Sequence, residues 1–284
     1  MSREISLASK IVFTKMIAFG MIQAYVQGGT MKKYLLLFAM LCCYIGCSKY
    51  PKQIIEKYAS VQPTQWSETA TGVRTRIKTN EKILALTMDA CGSKTDSLDE
   101  ELIDFLTREQ IPATLFITSR WIDKYPDKLA RLAKNPLFDI QNHGKDHRPA
   151  SLTGQSIYDI PGTENAQALA TEVLDGADKI EQLTGKRPIF FRSGTAYYDE
   201  YAVALISDLG FQSIGFAVLG DKGATYTAPE VVQAFLTAKA GDIIICHMNH
   251  PEKETGKGLM QVLPMLKQQG YRFVLLKDYA DKLE

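Results

Sequence analysis

From Val73 onward, short apolar runs alternate with longer stretches in which apolar residues recur every three to four positions. The short runs read as strands buried on both faces, and the longer stretches as amphipathic helices lying against them. Strands are expected at 82–88, 113–117, 138–141, 189–192, 212–216, 242–246 and 271–276. Helices are expected at 98–110, 127–134, 163–183, 200–209, 229–238 and 258–269. In the first helix Leu102, Ile103, Phe105 and Leu106 make one apolar side. The longest helix stops at Gly185, with Pro188 just beyond, as a helix end should. This alternation predicts an α/β domain with a mainly parallel sheet. About seven β/α units within 73–284 favour a closed or nearly closed, distorted (β/α)7-type barrel in a single domain. An open doubly wound sheet is the alternative. No glycine-rich phosphate loop follows the first strand, so no nucleotide site is expected.

The pattern differs before Val73. Residues 48–72 are polar, contain Pro51 and Pro63, and read as a tether leading into the domain. Residues 31–47 have a basic start (Lys32, Lys33), a short apolar run, and Gly46 before Cys47. The apolar run is about a dozen residues, shorter than the ~20 a spanning helix needs. The segment resembles a bacterial lipoprotein signal peptide, with Cys47 as the lipid-modified first residue of the mature chain. Tyr44 departs from the leucine typical three positions before that cysteine. An ordinary cleaved signal or a retained anchor are the alternatives. Residues 1–30 read as upstream of the true start at Met31, so 1–47 stand outside the fold. The resemblance implies an exported, membrane-anchored lipoprotein in the periplasm or at the cell surface, with the bacterial membrane as a partner.

Composition narrows the class. With 45% hydrophobic and 23% charged residues, the chain can build a sizeable core. Its formal charge is +1; residues 1–47 carry five Lys/Arg and one acid, which leaves 28 basic against 31 acidic, or −3. A mildly acidic domain is not drawn to polyanions, so no nucleic-acid partner is expected. Three of the five cysteines (Cys42, Cys43, Cys47) lie in the signal-like segment. The remaining Cys91 and Cys246 are too few for a disulfide framework.

All four histidines occupy two short segments, His143 with His147 and His247 with His250. Histidine is both a common metal ligand and an acid or base near neutral pH, so the clustering points to one site. The other chemically active residues also fall at strand ends. Asp89 ends the first strand, Arg192 the fourth, and His247 follows the sixth. In α/β barrels the carboxyl ends of the strands converge on the active site. A His-x-x-x-His pair in a helical turn puts both imidazoles on one face, able to share a metal. Asp89 reads as a catalytic group, a helix cap or an ion-pair partner, with Arg192 as its natural bidentate partner. His247 is placed to act as a general acid or base, and Asp221 could orient it. His250 supports the site or lies on the surface.

At this point the motifs resemble a family. Thr87-Met-Asp-Ala-Cys-Gly92, Asn142-His-Gly-Lys-Asp-His147, Phe191-Arg-Ser-Gly-Thr-Ala-Tyr197 and Ile245-Cys-His247 occur in the order of the polysaccharide deacetylase motifs (carbohydrate esterase family 4, NodB-homology domain). The resemblance runs from about Val73 to the C-terminus. It implies a single catalytic domain, a distorted β/α barrel that removes acetyl groups from N- or O-acetylated sugars with a divalent metal. Zinc is foremost, with cobalt, nickel or manganese as alternatives. By motif position, Asp89 matches the general base, His143 and His147 two metal ligands, Arg192 the residue that orients the base, and His247 the general acid. Asp89 is also a candidate ligand.

The chain departs from the family where a second aspartate supplies the third ligand: Ala90 stands there, followed by Cys91. The third and fourth motifs diverge as well, through Ser193-Gly-Thr-Ala196 and the missing tryptophan near Gly215–Gly220. Three outcomes follow: Asp89, Cys91 or another carboxylate completes the site, water fills it, or the metal is lost. Cys91 and Cys246 are free thiols, a ligand, or a disulfide. Tyr197 and Tyr198, with Trp121 and Tyr158, are candidate sugar platforms, and residues 151–162 a polar loop over the site. An acetylated glycan is the expected substrate. The alternatives are an amidohydrolase of small amides on the same barrel and a non-catalytic glycan-binding lipoprotein.

Overall fold

A computed structural model describes residues 50–284. The signal-like segment, including Cys47, lies outside the described residues. The strands are β1 (Ile83–Ala90), β2 (Ala113–Ile117), β3 (Phe138–Asn142), β4 (Ser156–Ile157), β5 (Ile160–Pro161), β6 (Phe190–Phe191), β7 (Gln212–Ser213), β8 (Val218–Leu219), β9 (Ile243–His247) and β10 (Arg272–Phe273). The helices are α1 (Lys52–Lys57), α2 (Glu100–Arg108), α3 (Ser119–Lys124), α4 (Pro126–Lys134), α5 (Ala166–Thr184), α6 (Glu200–Asp208), α7 (Ala228–Leu236) and α8 (Thr255–Gln268).

Seven parallel strands form one curled sheet in the order β7-β6-β3-β2-β1-β9-β8, and β10 pairs with the start of β1. Between its two ends, Arg74 bridges to Ile214 and Arg76 to Asp242. The result is a half-barrel wrapped by helices, as the sequence pattern implied, and not an open doubly wound sheet.

Strand alternation decides which residues reach the site. On β1, Leu84, Leu86, Met88 and Ala90 point outward and pack with Leu102, Leu106, Leu259 and Leu263 of α2 and α8. Fully buried leucines such as Leu102 and Leu106 each contribute roughly 1.5–3 kcal/mol. Ile83 and Ala85 point inward and join Phe116, Phe190, Ile214 and Ile243 in the barrel interior. Asp89 is on this inward face. On β9 the same rule sends Ile244 and Cys246 outward and leaves His247 inward.

Caps fix where the helices start. Asp99, Asn165 and Asp199 each accept the backbone N–H three residues on, and Thr227 forms a capping box with Glu230. The short helix α3 lies outside the expected set. The Thr118 hydroxyl caps it through Trp121 N at 3.1 Å, and Pro126 starts α4 immediately after. The two-residue strand β8 and the β4–β5 hairpin were also beyond the sequence pattern. Residues 50–72, read as a tether, carry α1. Ile55 and Tyr58 there pack in the cluster around α5 and α6, and the Tyr58 hydroxyl donates to Asp208 at 2.8 Å. Among the described residues no helix is long and apolar enough to cross a membrane.

Candidate active site

The carboxyl ends of β1, β3 and β9 open into a cavity of about 480 Å3. Asp89, Cys91, His143, His147 and His247 all line it. Five residues spread over more than 150 positions therefore meet in one place.

Asp89 and His247 are register partners across β1 and β9. Asp89 is buried, and its Oδ1 lies 2.7 Å from Nη1 of the fully buried Arg192. Arg192 also donates to the carbonyls of Gly215 at 3.0 Å and Ile214 at 3.4 Å, and its guanidinium lies over the Phe116 ring. Burial alone would raise the Asp89 pKa, but the charges of Arg192, His143 and His247 outweigh it and hold the carboxyl below its ordinary range.

His247 has a matching arrangement. Its Nδ1 lies 2.9 Å from Oδ1 of Asp221, which is fully buried and also accepts the His247 backbone N–H at 2.7 Å and the Thr255 hydroxyl at 3.0 Å. A carboxylate accepts, so Nδ1 carries the proton and Nε2 is turned toward the cavity. Burial works against a charged imidazole, yet the Asp221 charge and hydrogen bond raise the His247 pKa well above 6.5. Asp221 is held below its ordinary value by the same pair, against its burial.

His143 and His147 do not share a helical turn, as their spacing suggested. They belong to a tight loop after β3, in which Gly144 has φ +88° and His147 φ +63°. Their rings meet edge to face with centroids 4.8 Å apart. His143 Nδ1 donates to the Arg192 carbonyl at 2.9 Å, which leaves Nε2 free to bind. The loop is gripped from α5. The buried Glu172 carboxylate accepts the N–H of Asp146 at 2.9 and 3.0 Å and of Arg148 at 3.1 Å. Asn142 accepts from Gly144 N and donates to the Val173 carbonyl. A Cβ on Gly144 would come within 2.3 Å of Glu172 Oε1, so only glycine fits.

Cys91 offers a donor atom where Ala90 has none. Ala90 points into the helical layer, while Cys91 faces the cavity, its Sγ 3.9 Å from His143 Nε2. The donor atoms of Cys91, His143 and His147 all lie within 4.8 Å of one another. One thiol and two imidazoles are a zinc-type donor set, so these residues fit a divalent metal. Burial would raise the Cys91 pKa, but the charge of His147 and hydrogen bonds with His143, His147 and His247 lower it well below 9.0. Asp89, the other candidate ligand, spends Oδ1 on Arg192 and has Oδ2 3.5 Å from His143 Nε2. Cys246 is buried on the far side of the sheet, and both cysteines are free thiols, which removes the disulfide.

The aromatic candidates separate. Tyr198 does not reach the cavity, contrary to the expected sugar contact. It is fully buried, and its hydroxyl accepts Ser193 N at 2.9 Å and donates to the Ile214 carbonyl at 3.0 Å. Trp121 is likewise packing, with Nε1 donating to the Ser97 carbonyl. Tyr197 is partly exposed and Tyr158 lines the cavity. His250 lies off the cavity, beside Glu252 and Asp96. Sequence reasoning missed Glu172 and Thr255. The available signal for Glu172 was an acid on the buried stripe of α5, between Leu169 and Val173.

Comparison with known proteins agrees with the fold. Residues 76–214 match the family model "Polysaccharide deacetylase". The chain is 26% identical over 209 residues to a peptidoglycan-N-acetylglucosamine deacetylase of Bacillus cereus, covering 71% of this chain and 90% of that protein. It superposes on a family 4 carbohydrate esterase from Bacillus anthracis with TM-score 0.58 at 20% identity, covering 81% of this chain and 91% of that one. It also superposes on a CE4 family pseudoenzyme from Bacillus anthracis with TM-score 0.59 at 19% identity, covering 72% and 66%. Residues 76–214 of the chain are a polysaccharide deacetylase domain.

Proposed function

We propose that the chain hydrolyses the acetyl group of an N-acetylated glycan, of the N-acetylglucosamine class named for its Bacillus cereus relative. The observation that carries this reading is the opposed pair in one cavity, Asp89 held ionised by Arg192 and His247 held protonated by Asp221. Two facing groups whose surroundings push their pKa values apart are the arrangement for acid–base hydrolysis.

Asp89 takes a proton from the attacking water, whose oxygen bonds to the acyl carbon. His247 delivers its Nε2 proton to the leaving nitrogen as the C–N bond breaks, and acetate and an amine leave. Arg192 aims the Asp89 carboxylate, and Asp221 fixes the His247 tautomer. Cys91, His143 and His147 would hold a divalent ion, zinc by donor type. When bound, it supplies a Lewis acid that lowers the pKa of water from about 15.7 toward about 7. We further propose lipid attachment at Cys47, which would tether the domain to a bacterial membrane facing the periplasm or the outside; mass spectrometry of the mature N-terminus checks it.

The functional test is acetate release by the zinc-loaded protein from N-acetylglucosamine oligomers, O-acetylated sugars and small amides. Release from the N-acetylated oligomers supports the proposal. Release from small amides alone makes the chain an amidohydrolase, and binding without release makes it a glycan-binding protein.

A further inference from the structure

A feature outside the catalytic groups shapes the same cavity. Strands β4 and β5 form a hairpin with Ile157 paired to Ile160, so Tyr158 and Asp159 are its two turn residues. Both have left-handed backbones, φ +53° and +60°. Turns of this kind favour Asn-Gly or Gly, and a bulky aromatic at positive φ is an outlier there. Tyr158 is also 67% exposed, more than any other large hydrophobic side chain among the described residues. A strained and exposed aromatic at the rim of an active-site cavity points to a ligand.

The hairpin is held rigidly. Ser151 N donates to the Thr163 hydroxyl at 3.0 Å, Gln155 N to the Ser151 hydroxyl at 3.1 Å, and Leu152 N to Asp199 at 2.6 Å. Tyr158 is backed by Tyr197, ring centroids 6.1 Å apart and edge to face, and Tyr197 by Trp66 at 5.6 Å. Trp66 belongs to a segment docked independently, through the Ser67–Tyr198 bridge and the bonds of Thr64 and Gln65 to Glu200. Trp66 lies outside the residues matched to the family, 76–214.

We infer that Tyr158, backed by Tyr197 and Trp66, is the stacking platform for a second pyranose unit, next to the one whose acetyl group is removed. The inference rests on the deacetylase reading for which sugar is the substrate. A flat ring with a polar tip suits a sugar, which presents C–H groups on its face and hydroxyls on its edge. The platform makes Tyr158 a specificity determinant for glycan length.

The test is calorimetric titration of the zinc-loaded protein with N-acetylglucosamine tetrasaccharide and with the monosaccharide, in wild type, Tyr158→Phe and Tyr158→Gly. Glycine suits the turn, so this variant removes the ring and keeps the hairpin. The ratio of tetrasaccharide to monosaccharide affinity should fall about tenfold in Tyr158→Gly, or about 1.4 kcal/mol, and stay within twofold in Tyr158→Phe. An unchanged ratio in Tyr158→Gly overturns the inference, as does a wild type that binds both sugars equally. Acetate is assayed in the same wild-type samples. Its absence there, with the affinity ratio still dependent on Tyr158, strikes the deacetylase reading and leaves the platform standing.

Discussion

Asp89 and His247 stand opposite each other in the β1–β9 register, and each is braced by its own counter-charge. Arg192 lies 2.7 Å from Asp89, and Asp221 lies 2.9 Å from His247. The two braces reach the site from different elements, Arg192 from just after β6 and Asp221 from the turn after β8. Base and acid are thereby tuned separately although they are neighbours on the sheet.

Asp221→Asn should leave the fold intact and lower kcat by about 10²-fold, within the range for general-acid catalysis. With His247 raised well above 6.5, the alkaline limb of kcat/KM in the wild type should lie well above pH 6.5. Losing the Asp221 charge should move that limb to lower pH. A pH–rate profile of both proteins checks this.

The same pair sets a stability window. The raised pKa of His247 gives stability that is complete below its ordinary value of 6.5 and lost as pH rises through the raised value. The lowered pKa of Asp221 gives stability that is complete above its ordinary value of 3.8 and lost as pH falls through the lowered value. The Tm gap between wild type and Asp221→Asn should therefore be widest between pH 3.8 and 6.5. Melting curves across pH 3 to about 10 measure the gap.

Glu172→Leu should loosen the His147 loop. It leaves the N–H groups of Asp146 and Arg148 without their acceptor, at about 1–3 kcal/mol each. Zinc affinity should fall roughly 10–100-fold. Glu172→Gln keeps an acceptor and should retain most of both. Chelator-competition titration with a parallel Tm separates loss of metal from loss of fold.

Cobalt substitution should reveal Cys91. A thiolate ligand gives a near-ultraviolet sulfur-to-cobalt charge-transfer band, which Cys91→Ser should abolish and Cys246→Ser should leave in place. A band that survives Cys91→Ser would remove Cys91 from the ligand set.

Ala90→Asp should not restore a carboxylate ligand, although the family places one there. Ala90 is fully buried and packs against the helical layer. An aspartate there would be an unpaired charge among apolar side chains, costing several kcal/mol. A lower Tm with no gain in zinc affinity is the expected outcome.

The barrel was legible because parallel strands buried on both faces read as unbroken apolar runs, as 82–88 and 242–246 do. The site was legible where a polar residue interrupted such a run at its end, as with Asp89, Arg192 and His247. Three things were not legible. The His143–His147 turn depends on left-handed backbone at Gly144 and His147, which spacing does not encode. Whether Ala90 or Cys91 faces the cavity depends on where the pleat of β1 ends. Tyr197 and Tyr198 are the same residue type side by side, and only their opposite orientation buries Tyr198 and leaves Tyr197 near the rim.

The most direct test of the account is acetate release from N-acetylglucosamine tetrasaccharide by the zinc-loaded wild type and by Asp89→Asn. The account predicts release by the wild type and a fall of at least about 10²-fold in the variant, which should stay folded with a lower Tm because the buried Arg192 loses its counter-charge. Equal release by both proteins, or none by the wild type with its zinc in place, would contradict it.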